Sequence, residues 1–316
     1  MRPSVNGTGT VAQPRIGSIT LTTSGDAIGF AKSTIMTSFP YAIRMATGNT
    51  SSAFNGYWEM RVAPPMNTAA VTNMSTMFQN CQKLVDIPLY DTGSATAMTS
   101  MFNGCSSLDN PPLFNTAAVT NMGAMFSNCT ALTTVPLYNT GAVTSMGSMF
   151  SGCSNLTTVP LFNTANCTDF AGMFQNCTSM TTIPALNTVK GAQFGFMVGG
   201  CSNLTSFPLI DTTLAVGVNS MFTGCSSLTS VPALNFNAVT TATSIFTNCT
   251  SLTSIGILNM KANFSVANTQ LNAAALDTLF TNLGTVTAKT ITISGTPGSA
   301  GCTRSIATAK GWTVSG

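Results

Sequence analysis

The apolar residues of this chain recur with a period of 24 residues and no slippage over eight copies. In the copy at 143–162, Met146, Met149, Phe150 and Cys153 stand at i, i+3, i+4 and i+7. That spacing puts them on one face of a short helix. Leu156, Val159 and Leu161 follow with the L-x-x-[VI]-x-L spacing of a leucine-rich-repeat strand. A fixed period of this length predicts a solenoid, in which each coil packs only on its neighbours. One unit carries too few large side chains to offset the ordering of 24 residues, so no unit folds alone.

Polar positions punctuate the unit. The residue before each cysteine is Asn80, Gly104, Asn128, Gly152, Asn176, Gly200, Gly224 or Asn248. Gly and Asn enter the left-handed conformation at low cost, so this position is expected to cap the helix. Thr72, Thr120, Thr144 and Thr168 stand where an N-cap would help. Proline at 88, 112, 136, 160, 184, 208 and 232 cannot donate to an inter-coil ladder, so the strand should stop near it. A corner is then expected at Asp91, Asn115, Asn139, Asn163, Asn187, Asp211, Asn235 and Asn259, whose side chains close turns onto nearby N–H groups.

The ends diverge, as terminal repeats do when one face lacks a neighbour. Residues 1–42 read as an N-terminal cap or assembly segment, with a strand in Gly17–Thr23 that ends at Ser24-Gly25-Asp26. Phe30, Met36 and Pro40 weakly match the Phe, Leu and Pro positions of the unit. Residues 43–66 read as a degenerate first repeat, 67–258 as eight full repeats, and 259–316 as a C-terminal cap. Within that cap, Leu276, Leu279, Phe280 and Leu283 predict a helix, Thr290–Ser294 a strand, Thr303–Lys310 a short helix closed by Gly311, and Trp312–Val314 a last strand.

Composition narrows the chemistry. Only 6% of residues are charged and none is histidine, against about 25% charged in an ordinary globular domain. The polar surface must therefore be Thr, Ser, Asn and Gly. Mean hydropathy is +0.31, yet no apolar run approaches the ~18 residues of a spanning helix, so membrane insertion is not expected. The net charge of +3 is dispersed, and no basic cluster exists to track a phosphate backbone, which argues against nucleic acid. No secretory signal peptide is seen at Met1–Thr10.

Eight cysteines recur with the period, at 81, 105, 129, 153, 177, 201, 225 and 249. Zinc is disfavoured, because the paired spacing and histidines of a zinc site are missing. Neighbouring coils at ~4.8 Å come within disulfide range, but their Cβ vectors run parallel, so free buried thiols are expected. Cys167 replaces a valine of other copies, and Cys302 lies outside the array. The eight acids, Asp26, Glu59, Asp86, Asp91, Asp109, Asp169, Asp211 and Asp277, form no constellation with a base. No catalytic or cofactor motif is present, and no enzyme, cofactor or metal site is expected.

Two columns invite a binding role. Thr133, Thr157, Thr181, Thr205, Thr229 and Thr253 form one row, flanked by Thr134, Thr158, Thr182, Ser206, Ser230 and Ser254. They read first as soluble strand-forming residues and second as a hydroxyl lattice for a glycan or ice surface. Tyr90, Phe114, Tyr138 and Phe162 form another column, which continues as Leu186, Ile210, Leu234 and Leu258. Free exchange with aliphatics makes packing the better account. The sequons Asn128-Cys129-Thr130 and Asn176-Cys177-Thr178 are read as accidents of an Asn- and Thr-rich unit.

The unit N-T-x-x-V-T-x-M-x-x-M-F-x-x-C-x-x-L-T-x-[VI]-P-L-[FY]-[DN]-T resembles the BspA-like leucine-rich repeats of microbial surface proteins and of proteins encoded by tailed bacteriophages. The resemblance spans Asn67–Leu258. The ending, with Lys289-Thr290-Ile291-Thr292-Ile293-Ser294-Gly295 and Gly311-Trp312-Thr313-Val314, is similar to the closing segment of such phage proteins. It implies an α/β repeat solenoid: a right-handed coil of short parallel strands and short helices with divergent caps, used for binding and display. The expectation is a virion structural or surface protein (fibre, tail or capsid-surface component) that reaches the exterior by lysis. Its expected partners are other virion proteins, further copies of itself, and a host-surface glycan or protein. The alternative is a bacterial extracellular adhesin, and the third reading a glycan- or ice-binding module.

Overall fold

The computed structural model describes residues 49–316, together with two short strands upstream, β1 (Ile19–Leu21) and β2 (Ile43–Met45). The expected N-terminal strand thus has its middle at β1, and the remainder of the segment 1–42, including Phe30, Met36 and Pro40, lies outside the described residues. β1 pairs in parallel with β2, and β2 with β3 (Met66–Asn67).

From Asn49 onward the chain is a solenoid of stacked parallel coils. A column of parallel bridges links Asn49, Asn73, Ala97, Asn121, Ser145, Asp169, Gln193, Gly217 and Thr241, one residue per turn of the coil. Each bridge residue stands just before the M-x-x-M-F segment. That segment is not the expected helix. In the 146–153 copy, Met149, Ser151 and Cys153 donate to the carbonyls three residues back, at 3.1, 3.0 and 3.0 Å. The alternate N–H groups, of Ser148, Phe150 and Gly152, instead donate to Ala171, Met173 and Gln175 of the next coil at 2.7–2.9 Å.

The result is a ribbon of consecutive turns. Ser148 (φ 56°) and Gly152 (φ 77°) occupy the third positions of two of them, where a type II turn requires positive φ. A helix would spend every N–H within its own coil. The ribbon spends half of them on the neighbour, and so ties each coil to the stack. The αL residue before the cysteine is as expected, from Asn80 to Asn248. A second αL column, at Thr76, Ser100, Ala124, Ser148, Gly172, Phe196, Ser220 and Ser244, stands four residues earlier.

The N-cap expectation also shifts. Thr120, Thr144 and Thr168 use their hydroxyls on the threonine carbonyl of the preceding coil at 3.1–3.2 Å. The start of the ribbon is closed one residue later, where Asn73, Asn121 and Asp169 accept the N–H two residues on at 2.8–3.0 Å. The corner is as expected: Asp91, Asn115, Asn139, Asn163, Asn187, Asp211 and Asn235 each accept the N–H of residue i+2 at 2.9–3.2 Å, or 3.3 Å for Asn163.

On the L-x-x-[VI]-P-L side, strand pairing is sparse. β4 (Ser230–Val231) pairs with β5 (Ser254–Ile255), and Ser206 bridges Ser230. Proline removes one donor per coil there, and the chain tightens locally, as where the Tyr138 N–H donates to the Pro136 carbonyl at 3.0 Å.

The core is a set of columns. Phe54, Phe78, Phe102, Phe126, Phe150 and Phe174 stack ring on ring with centroids 5.3–6.0 Å apart. Tyr90, Phe114, Tyr138 and Phe162 lie parallel to that column at 6.0–6.3 Å. All are buried, so packing is their role. Among the described residues no helix is long and apolar enough to cross a membrane.

The array ends in the expected helix and strands. α1 (Ala273–Asn282) buries Leu276, Leu279 and Phe280, and the Asn272 side chain accepts the Ala275 N–H at 2.9 Å. β6 (Phe264–Ser265), β7 (Lys289–Thr292) and β8 (Trp312–Ser315) form a parallel sheet in that order. α2 (Ser305–Thr308) precedes β8, and its entry is held by Asp277, whose carboxylate accepts both the N–H and the hydroxyl of Thr303.

Candidate functional site

Threonine serves three different ends in this fold. Thr68, Thr92, Thr116, Thr140, Thr164, Thr188 and Thr212 are buried. Each donates its hydroxyl to the Asx carbonyl of the next coil at 2.6–3.0 Å. This column is structural, and the recurrent Asn-Thr or Asp-Thr dipeptide of the unit was its signal in the sequence.

The proposed binding rows are exposed as expected, and the two rows differ. Thr157, Thr205, Thr229 and Thr253 donate their hydroxyls to the carbonyls of Thr133, Thr181, Thr205 and Thr229, at 3.0–3.4 Å. Their protons are used by the stack. The hydroxyls of Thr133 and Thr181 in the same row, and of Thr134, Thr158 and Thr182 in the flanking one, make no hydrogen bond to the described residues.

Beside them stands a column that sequence reasoning assigned to the core. Leu89, Leu113, Leu137, Leu161 and Leu209 are 59–72% exposed. In extended chain, adjacent side chains take opposite faces, and the neighbour of each leucine, such as Tyr138 or Phe162, goes inward instead. Two consecutive apolar positions after each proline were the signal. Ala185 and Ala233 interrupt the column. A hollow of about 350 Å³ lies at the second gap, lined by Leu209, Asp211, Ala233 and Asn235 among others.

The cysteines do structural work. All eight of the array, and Cys167, are free and buried. Cys153 donates its S–H to the Phe126 carbonyl of the preceding coil at 3.0 Å, and the column repeats that bond. Burial pushes the thiols of Cys81, Cys153, Cys201 and Cys249 up to about 12, and that of Cys167 to about 11. Such thiols are poor nucleophiles at neutral pH.

Acids are similarly occupied: Glu59 pairs with Lys83 at 2.7 Å, Asp91 and Asp211 close corners, and Asp169 opens a ribbon. Hydrogen bonds from the Thr213 hydroxyl and N–H hold the Asp211 carboxyl below its ordinary range. Among the described residues no group of three or more His, Cys, Asp or Glu is placed to hold a metal.

Comparison with known proteins matches residues 49–159, 113–206 and 135–260 to the family described as "Mycoplasma protein of unknown function, DUF285". The chain belongs to this family. The match covers the stacked coils from the first bridge at Asn49 to Met260, and each matched stretch spans several 24-residue coils. A comparison with curated proteins gave no match. Among solved structures, the DUF285 solenoid is similar to an internalin from Listeria monocytogenes, with 15% identity over 81% of this chain and 73% of that one and a TM-score of 0.29. It is also similar to a leucine-rich cell surface protein from Faecalibacterium prausnitzii (18% identity, 69% and 79% covered, TM-score 0.28). A third is a leucine-rich-repeat protein from Eubacterium ventriosum (14% identity, 81% and 82% covered, TM-score 0.38).

Proposed function

We propose that this chain is a non-catalytic binding scaffold displayed on an exterior surface, and that it engages partners through the face bearing Thr134, Thr158, Thr182 and the exposed leucine column. The observation that carries this reading is the register of Leu89, Leu113, Leu137 and Leu161, exposed once per coil next to hydroxyls that the fold does not use. A contiguous apolar stripe rimmed by polar groups marks an interaction surface. Without charge, it suits an uncharged partner, such as the C–H faces and hydroxyls of a host-surface glycan, or another protein subunit.

Display on a virion is supported by the resemblance of the closing segment, residues 276–316, to those of phage proteins. Display on a bacterial cell is the alternative reading, and the family's description names a bacterial source, Mycoplasma. Antibody raised against the purified protein should label intact particles or intact cells of the source, and the label decides between them. Label that appears only after lysis of both would contradict surface display altogether.

A further inference from the structure

The exposed apolar column is not uniform. After the uninterrupted Leu89, Leu113 and Leu137, four successive coils carry Leu161, Ala185, Leu209 and Ala233 next to their prolines, all four exposed. Large and small side chains thus alternate, one per coil. At ~4.8 Å per coil the two leucines stand ~10 Å apart, and the alanine between them leaves a gap one side chain wide. The hollow at Ala233, walled by Leu209, Asp211 and Asn235, is a second gap of this kind.

An alternation of large and small can mesh with itself. A two-fold axis in the contact plane, at right angles to the stack and midway between the coils of Ala185 and Leu209, sets a second copy antiparallel to the first. Leu209 then faces Ala185 of the second copy, Leu161 faces its Ala233, and symmetry repeats both contacts. Every leucine of the four coils meets a gap. Moving the axis by half a coil sets Leu161 against Leu209, and moving it one coil toward the N-terminus sets Leu137 against Leu209, so the meshed register is specific.

The charges select the same register. Between residues 161 and 258 the charged residues are Asp169, Lys190 and Asp211, and Asp169 opens a ribbon. Lys190 and Asp211 are exposed at the corners of the two coils nearest the axis. An axis in this direction preserves lateral position, so the corner of Asp211 faces the corner of Lys190 in the second copy, twice over. Asp211 spends Oδ1 on the Thr213 N–H and hydroxyl, and its Oδ2 makes no hydrogen bond to the described residues. Lys190 donates to Asn166 Oδ1 at 2.7 Å, which leaves two of its three N–H donors.

We propose that the coils of Leu161, Ala185, Leu209 and Ala233 form an isologous interface between two antiparallel copies of this chain, with leucines meshed over alanines at its centre and Lys190–Asp211 pairs at its edges. The proposal rests on the exposed leucine face being an interaction surface, and names one partner for it. Four coils span only ~20 Å, a short contact beside a standard protein interface. The dimer therefore dissociates on dilution.

Sedimentation velocity of the full chain over a concentration series should show a monomer–dimer equilibrium. Ala233→Leu fills a gap and should weaken the dimer by about tenfold, with its urea midpoint kept because the position is exposed. Lys190→Glu opposes acids at both edges and should weaken it by about tenfold; adding Asp211→Asn, the residue most other corners use, should recover part of that loss. Cross-linking in a Cys302→Ser background reads the register. Leu161 and Ala233 lie three coils apart in one chain, ~14 Å, beyond the reach of a disulfide. The double variant Leu161→Cys, Ala233→Cys should therefore oxidise to covalent dimers, and Leu89→Cys with Ala233→Cys should not. A monomer at every concentration, or equal cross-linking of both pairs, would overturn the proposal. Failure of the face is read separately: lysine at Leu137 that abolishes binding to glycans or proteins, in a chain that never dimerises, removes the second copy and leaves the face as an interaction surface.

Discussion

Thr164 and Thr158 are six residues apart in one coil and face opposite fates. The first is buried and bonded to the Asn187 carbonyl at 2.8 Å, the second exposed and unbonded. Thr164→Val should cost about 1–3 kcal/mol in urea unfolding, because the hydrogen bond that joins two coils at this buried side chain is lost. Thr158→Val should stay within about 0.5 kcal/mol. The αL column before the cysteines holds a similar contrast. A Cβ on Gly152 would lie 2.4 Å from Asn128 Oδ1, and on Gly104 2.6 Å from Asn80 Oδ1. Each Asn side chain thus lies over the Gly of the following coil, which explains why Asn and Gly alternate from Asn80 to Gly200. Gly152→Asn should destabilise by about 1–2 kcal/mol, and the added Asn128→Gly should recover most of it in a double-mutant cycle. The buried thiols bring a pH dependence. Their folded pKa values lie above the ordinary thiol value near 9, so the native state holds its protons longer than the unfolded one. Stability from this source is complete below about pH 9 and lost as pH rises toward about 12. A thiol reagent at pH 8 should react first with half-buried Cys302 and reach the column only on unfolding.

At the scale of the element, the ribbon and a helix make opposite predictions at Ala124. In a helix, Ala→Gly costs about 1 kcal/mol. Here Ala124 has φ 53°, a conformation that burdens any Cβ by about 1–2 kcal/mol. Ala124→Gly should therefore leave the urea midpoint unchanged or raise it. A clear loss of stability would count against the ribbon. The period, the cysteine environment, the αL residue before each cysteine, the Asx corners and the C-terminal helix and strands were all legible in the residues. The ribbon was not, for a physical reason. Met146, Met149, Phe150 and Cys153 bury the same side chains in a run of turns as on a helix face. The second αL column is occupied mostly by Ser, Thr, Ala and Phe, which carry no left-handed signal. The exposed leucines were hidden by the L-x-x-[VI]-x-L template, which counts Leu161 inward although Phe162 takes that place.

Across the whole molecule, every coil presents the same cross-section, so the inner columns set stability and the outer ones set what the surface can meet. The phenylalanine stack runs unbroken from Phe54 to Phe174 and resumes at Phe222 and Phe246 after Val198. Stability in such an array is a sum over neighbouring coils. A break at its centre, Phe126→Ala, should cost about 3–5 kcal/mol and separate unfolding into two transitions. The outer columns contribute little to that sum and are free to serve a partner. The most direct test pairs unfolding with binding on arrays of host-surface glycans and proteins for two variants. Thr164→Val should lose stability and bind as the wild type does, whereas Thr158→Lys with Leu137→Lys and Leu161→Lys should keep its urea midpoint within about 1 kcal/mol and lose the bound partners. A lysine variant that stays folded and binds like the wild type would contradict the assignment of this face.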